Sequence, residues 1–403
     1  MNKDFLLNES KVFCMLPWLH LNVTPKGDIY PCCNQDYATP LASTKTTTLK
    51  DAFNIESIKE LRRDMLNERP NKICEYCYKH EATTPYSFRG YSIEQFSDRF
   101  DELVPFTNPD GSVDEFKMHY YDIRFSNICN FKCRTCGAEF SSTWAAENRL
   151  SNKKHPILFH ADDGKGALLD EVLSHVHNMD LAYFAGDEPL ITEEHYLILE
   201  EMIRQGRTDI TLRYNTNASS IKFKHYDILD LWKNFKKVEL SCSIDHYGDR
   251  AEWLRHGTDW GQVEANLLSF RKLDYVDFQI NTVFSIFNYL TIGDFYTYLK
   301  NKNIIRANDW HHTLYLAQSP AYYCATGLPT DLKSLAKTNA LSFDGTGEHR
   351  AVIDSIKFAM KFADNADTWD DNKTVFQQQT RLRDKIRGED FVSVFPELRT
   401  LMD

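Results

Sequence analysis

The sequence predicts an α/β fold: a parallel sheet whose strands are joined by crossover helices, open or closed into a barrel. Three observations predict it. Strand-like alternation and helix-like periodicity take turns from residue 117 to residue 317. Three of the strands carry one polar face, whereas the strands of an ordinary parallel sheet are apolar on both. The first strand runs into a short loop holding Cys129, Cys133 and Cys136, and a helical segment follows.

The elements follow in chain order. Residues 19–24 alternate, Pro25-Lys-Gly27 turns, and residues 28–32 return, which is a hairpin. A helix is expected over 55–67, a linker over 80–116 with a turn at Asn108-Pro-Asp-Gly111, and a strand over 117–126. A helix at 140–150 contains Trp144. Strands are then expected at 178–185, 209–216, 236–244, 277–285 and 311–317, and helices at 191–205, 222–234, 260–271 and 290–301. Residues 345–403 read as amphipathic helices, with Ile353, Ile356, Met360 and Phe362 at near-helical spacing. The polar faces are Thr211, Arg213, Asn215 and Asn217; Glu239, Ser241, Ser243 and Asp245; and Gln279, Asn281, Val283 and Ser285. Together they predict a wet, ligand-filled concavity. Cys242 falls on the opposite, apolar face and is expected to be inert core.

With 403 residues and 42% hydrophobic content, the chain has room for two or three domains. A net charge of −11 argues against a basic nucleic-acid surface. The N-terminus lacks the apolar core of a signal peptide, and no run of eighteen apolar residues exists, so the expectation is a cytoplasmic protein without a membrane span. Eight of the ten cysteines fall at or before position 136 in close spacings, which reads as metal binding rather than disulfides.

A lone C-x3-C-x2-C run is a poor zinc motif, because zinc sites pair C-x2-C with a second pair. Three thiolates at this spacing can hold three irons of one [4Fe–4S] cube and leave the fourth open for a substrate. With Ala185-Gly186-Asp187-Glu188-Pro189-Leu190 after the next strand, the run resembles the radical S-adenosylmethionine enzymes. In that family the open iron binds the methionyl amine and carboxylate of S-adenosylmethionine, whose reductive cleavage gives a 5′-deoxyadenosyl radical. The resemblance makes Cys129, Cys133 and Cys136 the catalytic cluster ligands. It places Gly186, Asp187 and Glu188 at the methionyl amine, with Asp187 where the family has a second glycine. Tyr214-Asn215-Thr216-Asn217 looks like the third-strand motif and Ser243 and Asp245 like the fourth-strand ribose motif. Arg255, in Arg255-His-Gly257, would pair with the cofactor carboxylate. Thr135 stands where the family often has an aromatic. The implied core is a partial (β/α) barrel over 111–325, with a helical extension over 326–403.

The other cysteines form a second group. The hairpin brings Cys14 and Cys32 together, and Pro70-Asn-Lys-Ile-Cys74-Glu-Tyr-Cys77 supplies a C-x2-C pair. Four thiolates suit zinc or [4Fe–4S] alike, and Cys33 is an alternative to Cys32. The pattern C-x12-G-x4-C, then a helix, then C-x2-C resembles the "twitch" module, the short form of the SPASM auxiliary-cluster domain, here ahead of the core in residues 1–110. It implies a second [4Fe–4S] cluster, with Gly27 spacing favouring Cys32. The expected protein therefore uses S-adenosylmethionine, two [4Fe–4S] clusters and a small electron donor such as flavodoxin or ferredoxin. Its expected substrate is a peptide or protein, the alternative being oxidation of a small molecule such as a sugar alcohol. A non-catalytic iron–sulfur protein is the rival from another class. Cys324, after the sixth strand, is read either as a hydrogen-atom donor or as a small buried loop residue.

Overall fold

A computed structural model describes residues 2–82, 87–150, 156–162, 166–306, 313–340, 343 and 350–403. The strands are β1 (His20–Val23), β2 (Asp28–Tyr30), β3 (Ala42–Ser43), β4 (Tyr120–Ile123), β5 (Lys132–Cys133), β6 (Leu181–Phe184), β7 (Thr211–Thr216), β8 (Lys222–Phe223), β9 (Tyr226–Asp227), β10 (Lys237–Ser243), β11 (Arg255–His256), β12 (Val276–Phe284) and β13 (Thr313–Leu316). Among the described residues nine of them form one sheet, ordered β13-β12-β10-β7-β6-β4-β1-β2-β3.

From β4 to β13 the strands are parallel and lie in chain order, each joined to the next by a helical crossover. This is the α/β fold with a parallel sheet that the alternation predicts, in the strand order of an open (β/α) barrel. The helix Glu193–Arg204 shows how a crossover is held. It opens on Glu193 and Glu194, closes on Arg204, and buries Tyr196, Ile198, Leu199 and Met202. The charges complement the helix dipole, and the stripe covers the sheet at roughly 2 kcal/mol per large side chain.

The N-terminal hairpin is not a separate layer. β1 pairs in parallel with β4, with Asn22 opposite Asp122, and β2 and β3 extend that edge. The turn at Gly27 has φ +87°, and a Cβ there would lie 2.2 Å from the carbonyl oxygen of Ala161, so only glycine lets the hairpin approach the core.

Three local expectations are corrected. The span 222–234 is not one helix: β8 and β9 form a tiny hairpin around Lys224 (φ +54°), and Asp227 caps a helix limited to Ile228–Trp232. Phe223 and Tyr226 both stack on Tyr196, a tertiary contact that outweighs helical propensity. The 80–116 segment is not a linker either. Ser87 caps a helix over Phe88–Phe96, and Arg89 ties it to Glu81 and to the carbonyls of Ser10 and Phe13. Tyr91 on this helix accepts a hydrogen bond from Arg213 of β7, so the helix covers one end of the sheet's polar face. In the C-terminal helix Arg350–Asp364 the buried stripe is Val352, Ile356, Met360 and Ala363, while Phe362 points outward. Residues 83–86, 311–312 and 344–349 lie outside the described residues.

Candidate metal centres and cofactor pocket

All ten cysteines are free thiols. The first set follows β4. Its loop is built by side chains that satisfy backbone groups. Asn127 donates to the carbonyls of Ala138 (2.9 Å) and Ile157 (3.1 Å) and accepts from the Phe159 amide (2.9 Å). Ser141 and Thr143 donate to the carbonyl of Phe131, and the Trp144 indole donates to the carbonyl of Cys133 at 2.6 Å. The loop is therefore preorganised by the protein alone. Burial, then neighbouring Cys133, pushes the Cys129 thiol well up, and the same two causes push Cys136 up to about 12. Three thiols gathered where thiolates repel one another fit a bound cationic metal that favours deprotonation.

Arg255 lies on this set. Its strand β11 pairs antiparallel with β5, placing Arg255 opposite Cys133. One guanidinium nitrogen is 3.7 Å from the Cys133 sulfur, and two others bind Asp245 at 2.9 and 3.1 Å. Gly257 (φ +109°) permits the approach, since a Cβ there would sit 2.8 Å from the Asn130 carbonyl oxygen. The expected pairing of Arg255 with a cofactor carboxylate is thus preceded by pairing with Asp245, which also accepts from the Val283 amide at 2.8 Å.

The other expected cofactor residues divide. Glu188 is 1% exposed, and its carboxylate accepts from the Thr216 hydroxyl (2.6 Å), the Asn217 amide (2.6 Å) and the Leu190 amide (3.1 Å). It is a knot between two strand ends rather than a free ligand. Gly186 is in the left-handed region (φ +107°) against the Arg124 side chain. Asp187 accepts from Thr192 at 3.3 Å, and Asn217 donates to Asn130 beside Cys129 at 2.9 Å. Asn215 donates to the Tyr183 hydroxyl at 2.6 Å and accepts from Asn281 at 3.3 Å. Ser243 pairs in register with Asn281.

The polar face extends beyond the three strands that reveal it in sequence. Register places Arg213 between Tyr183 and Glu239, and Ser241 between Asn215 and Gln279. Asn22 on β1, Asp122 on β4 and Arg124 just past β4 continue it, with Asn22 donating to Asp122 at 2.9 Å and Arg124 pairing with Asp122 at 3.1 Å. Arg124 and Asp122 are not among the site residues that the motifs predict, although the alternation of 117–126 places them on one face. A separate cavity of about 600 Å³ opens beside Cys136, walled by Phe140, Trp144, Phe159, Tyr322 and Tyr323.

The second set comprises Cys14, Cys32, Cys74 and Cys77. Cys14 and Cys77 are buried, and the Cys14 sulfur is 3.1 Å from the Ser92 hydroxyl. Burial raises Cys74 first, then the neighbouring Cys14 and Cys77, while Cys32 feels burial, Cys33, Cys74 and Cys14. Asn34 donates to the Cys77 sulfur at 3.6 Å. After burial, the main influences on Cys33 are Asp122 and Arg124, so its environment is the polar sheet face. Among the described residues no three His, Cys, Asp or Glu groups converge tightly enough for one metal ion. A cube distributes its ligands over four irons and spaces them more widely.

Residues 14–78 match the family of SPASM iron–sulfur cluster-binding domains. This segment is SPASM-like. Its match spans Cys14, Cys32, Cys74 and Cys77. Among solved structures, native anSMEcpe with bound AdoMet and a Cp18Cys peptide is 18% identical over 54% of this chain and 57% of its own, with a TM-score of 0.36. Streptococcus suis SuiB bound to S-adenosylmethionine is 15% identical over 73% of this chain and 59% of its own, with a TM-score of 0.38. The chain thus spans less than two thirds of the length of either. No curated protein matches the chain significantly. Among the described residues no helix is long and apolar enough to cross a membrane. Buried Cys242 stays on the apolar side of the sheet, and Cys324 is a loop residue 9% exposed whose thiol burial pushes up.

Proposed function

We propose that the chain is a radical S-adenosylmethionine enzyme that abstracts hydrogen from a peptide or protein. The observation that carries this reading is the three-thiol loop after β4, gripped by Arg255 and flanked by a continuous polar sheet face. Cys129, Cys133 and Cys136 would hold a [4Fe–4S] cluster, and Cys14, Cys32, Cys74 and Cys77 a second one. The first cluster, when bound, supplies the electron that cleaves S-adenosylmethionine to a 5′-deoxyadenosyl radical. The protein's part is to bind and orient. Asp245 fixes Arg255 at the cluster loop, where the guanidinium can meet a carboxylate. Glu188 holds the β7 end so that Asn217 stays beside the loop, and the Gly186 turn leaves its backbone open to an amine. Asn215, Ser243 and Asn281 offer hydrogen bonds to hydroxyls.

The cavity beside Cys136 has aromatic walls and opens to solvent, which suits a side chain entering from a longer polypeptide. The electron donor would be a small protein such as flavodoxin or ferredoxin. The polar sheet face also suits a hydroxyl-rich small molecule such as a sugar alcohol. Adding S-adenosylmethionine and dithionite to the anaerobically reconstituted chain tests the class. 5′-Deoxyadenosine is the expected product, and its absence from protein loaded with iron and sulfide would leave a non-catalytic iron–sulfur protein.

A further inference from the structure

The helix Trp369–Arg387 and the turn after it reach the cysteine loop through buried ion pairs. Arg134, between Cys133 and Cys136 in sequence, is 2% exposed. Its guanidinium lies 3.6 Å from the Trp253 ring, binds Asp384 at 2.6 Å and pairs with Glu389. Asp384 also accepts from the Trp253 indole (3.0 Å) and the Phe391 amide (2.8 Å). His256, in register with Lys132, reaches the same Glu389.

A second knot lies alongside. Glu147 accepts from Arg383 (2.8 Å) and twice from Arg387 (2.9 and 3.1 Å), with Lys132 at 3.0 Å. Three cations surround one carboxylate, and the Arg387 and Glu147 side chains are 0% and 1% exposed. The knot therefore keeps uncompensated positive charge in the interior. One buried nitrogen in each knot, Arg387 Nη1 here and Arg134 Nη1 in the first, meets no hydrogen-bond acceptor among the described residues. An orphaned buried donor is costly, and most of all on a charged group. An anionic acceptor is the group this wall calls for, and the cysteine loop lies next to it: Arg387 sits 5.2 Å from the centre of the Trp144 ring, whose indole donates to the Cys133 carbonyl at 2.6 Å.

We propose that Arg387, carried by the helix Trp369–Arg387, is a positioning residue of the Cys129–Cys136 centre whose buried charge raises the reduction potential of a cluster bound there. The inference rests on the iron–sulfur reading above. Positive charge and N–H groups near cluster sulfurs favour the reduced, more negative state.

The test uses the anaerobically reconstituted full chain and reads iron content together with the midpoint potential of the reduced EPR signal that changes when S-adenosylmethionine is added. Arg387→Gln should lower that potential at unchanged iron content, and Arg387→Lys should restore most of it. Glu389→Gln, which removes a negative charge from the same wall, should move it the other way. Should Arg387→Gln fail to fold, Lys132→Gln removes another cation of the knot and should also lower the potential. Loss of iron with an unshifted potential, or shifts of one sign for Arg387→Gln and Glu389→Gln, would overturn the proposal. A wild-type chain loaded with iron but lacking any responsive signal would instead refute the catalytic centre, and the proposal with it.

Discussion

Glu188 shows how one residue couples site architecture to pH. Burial dominates the three hydrogen bonds it accepts and pushes its carboxyl up to about 7. Its folded pKa lies above the ordinary value of 4.5, so the folded state holds the proton more tightly than the unfolded chain. The contribution is fully present below pH 4.5 and is lost as pH rises through about 7. Metal-free protein should accordingly lose stability over that interval, and Glu188→Gln should flatten the slope in urea titrations at stepped pH. An unchanged slope would mean that Glu188 does not titrate there. Glu188→Ala leaves the Thr216, Asn217 and Leu190 donors unpaired and should cost about 2–4 kcal/mol by the same method. Gly257 makes a different demand. Alanine there combines a left-handed backbone with a clash against Asn130, so Gly257→Ala should cost about 1–3 kcal/mol and lower iron uptake at the cysteine loop, read by iron analysis and a thermal melt. Normal iron uptake would show that β11 does not control the loop.

At the scale of elements, two thiol sets sit on two different supports: a loop after β4, and a hairpin with a following helical turn. They should load independently. Replacing Cys129, Cys133 and Cys136 with alanine should leave one cluster, about four irons per chain, and no 5′-deoxyadenosine. Replacing Cys74 and Cys77 should remove the other cluster, while cleavage of S-adenosylmethionine without substrate partly persists. About one zinc per chain after anaerobic purification would favour a structural zinc site in the N-terminal segment. The strand–loop–helix around Cys129 is legible in sequence because alternation and cysteine spacing are local. The Phe88–Phe96 helix is not, because what fixes it lies far away in the chain: Arg89 on the Ser10 and Phe13 carbonyls, and Tyr91 under Arg213.

For the whole molecule, the sheet runs without a break from β3 to β13, so hairpin and core should unfold together. Far-UV circular dichroism and the fluorescence of Trp18, near the hairpin, and Trp232, behind the core, should report one denaturant midpoint. Two separated midpoints would mean that β1 contributes little to the core. Arg62, fully buried, donates to the carbonyls of Pro17, Phe53 and Gly111 and so joins the N-terminal segment to itself. Arg62→Met should cost several kcal/mol of stability and lower that common midpoint accordingly, because three carbonyls lose their donor. The sequence by itself determined the α/β alternation, the three polar strand faces and both thiol groups, since each is written in spacings of a few residues. Only the tertiary structure decided that β1 joins the core sheet beside β4, that Asp122 and Arg124 belong to the polar face, and that Asp384, Arg387 and Glu389 close over the cysteine loop. Those contacts join residues about 100 to 250 positions apart, and burial and charge pairing across such distances leave no periodic trace in the chain.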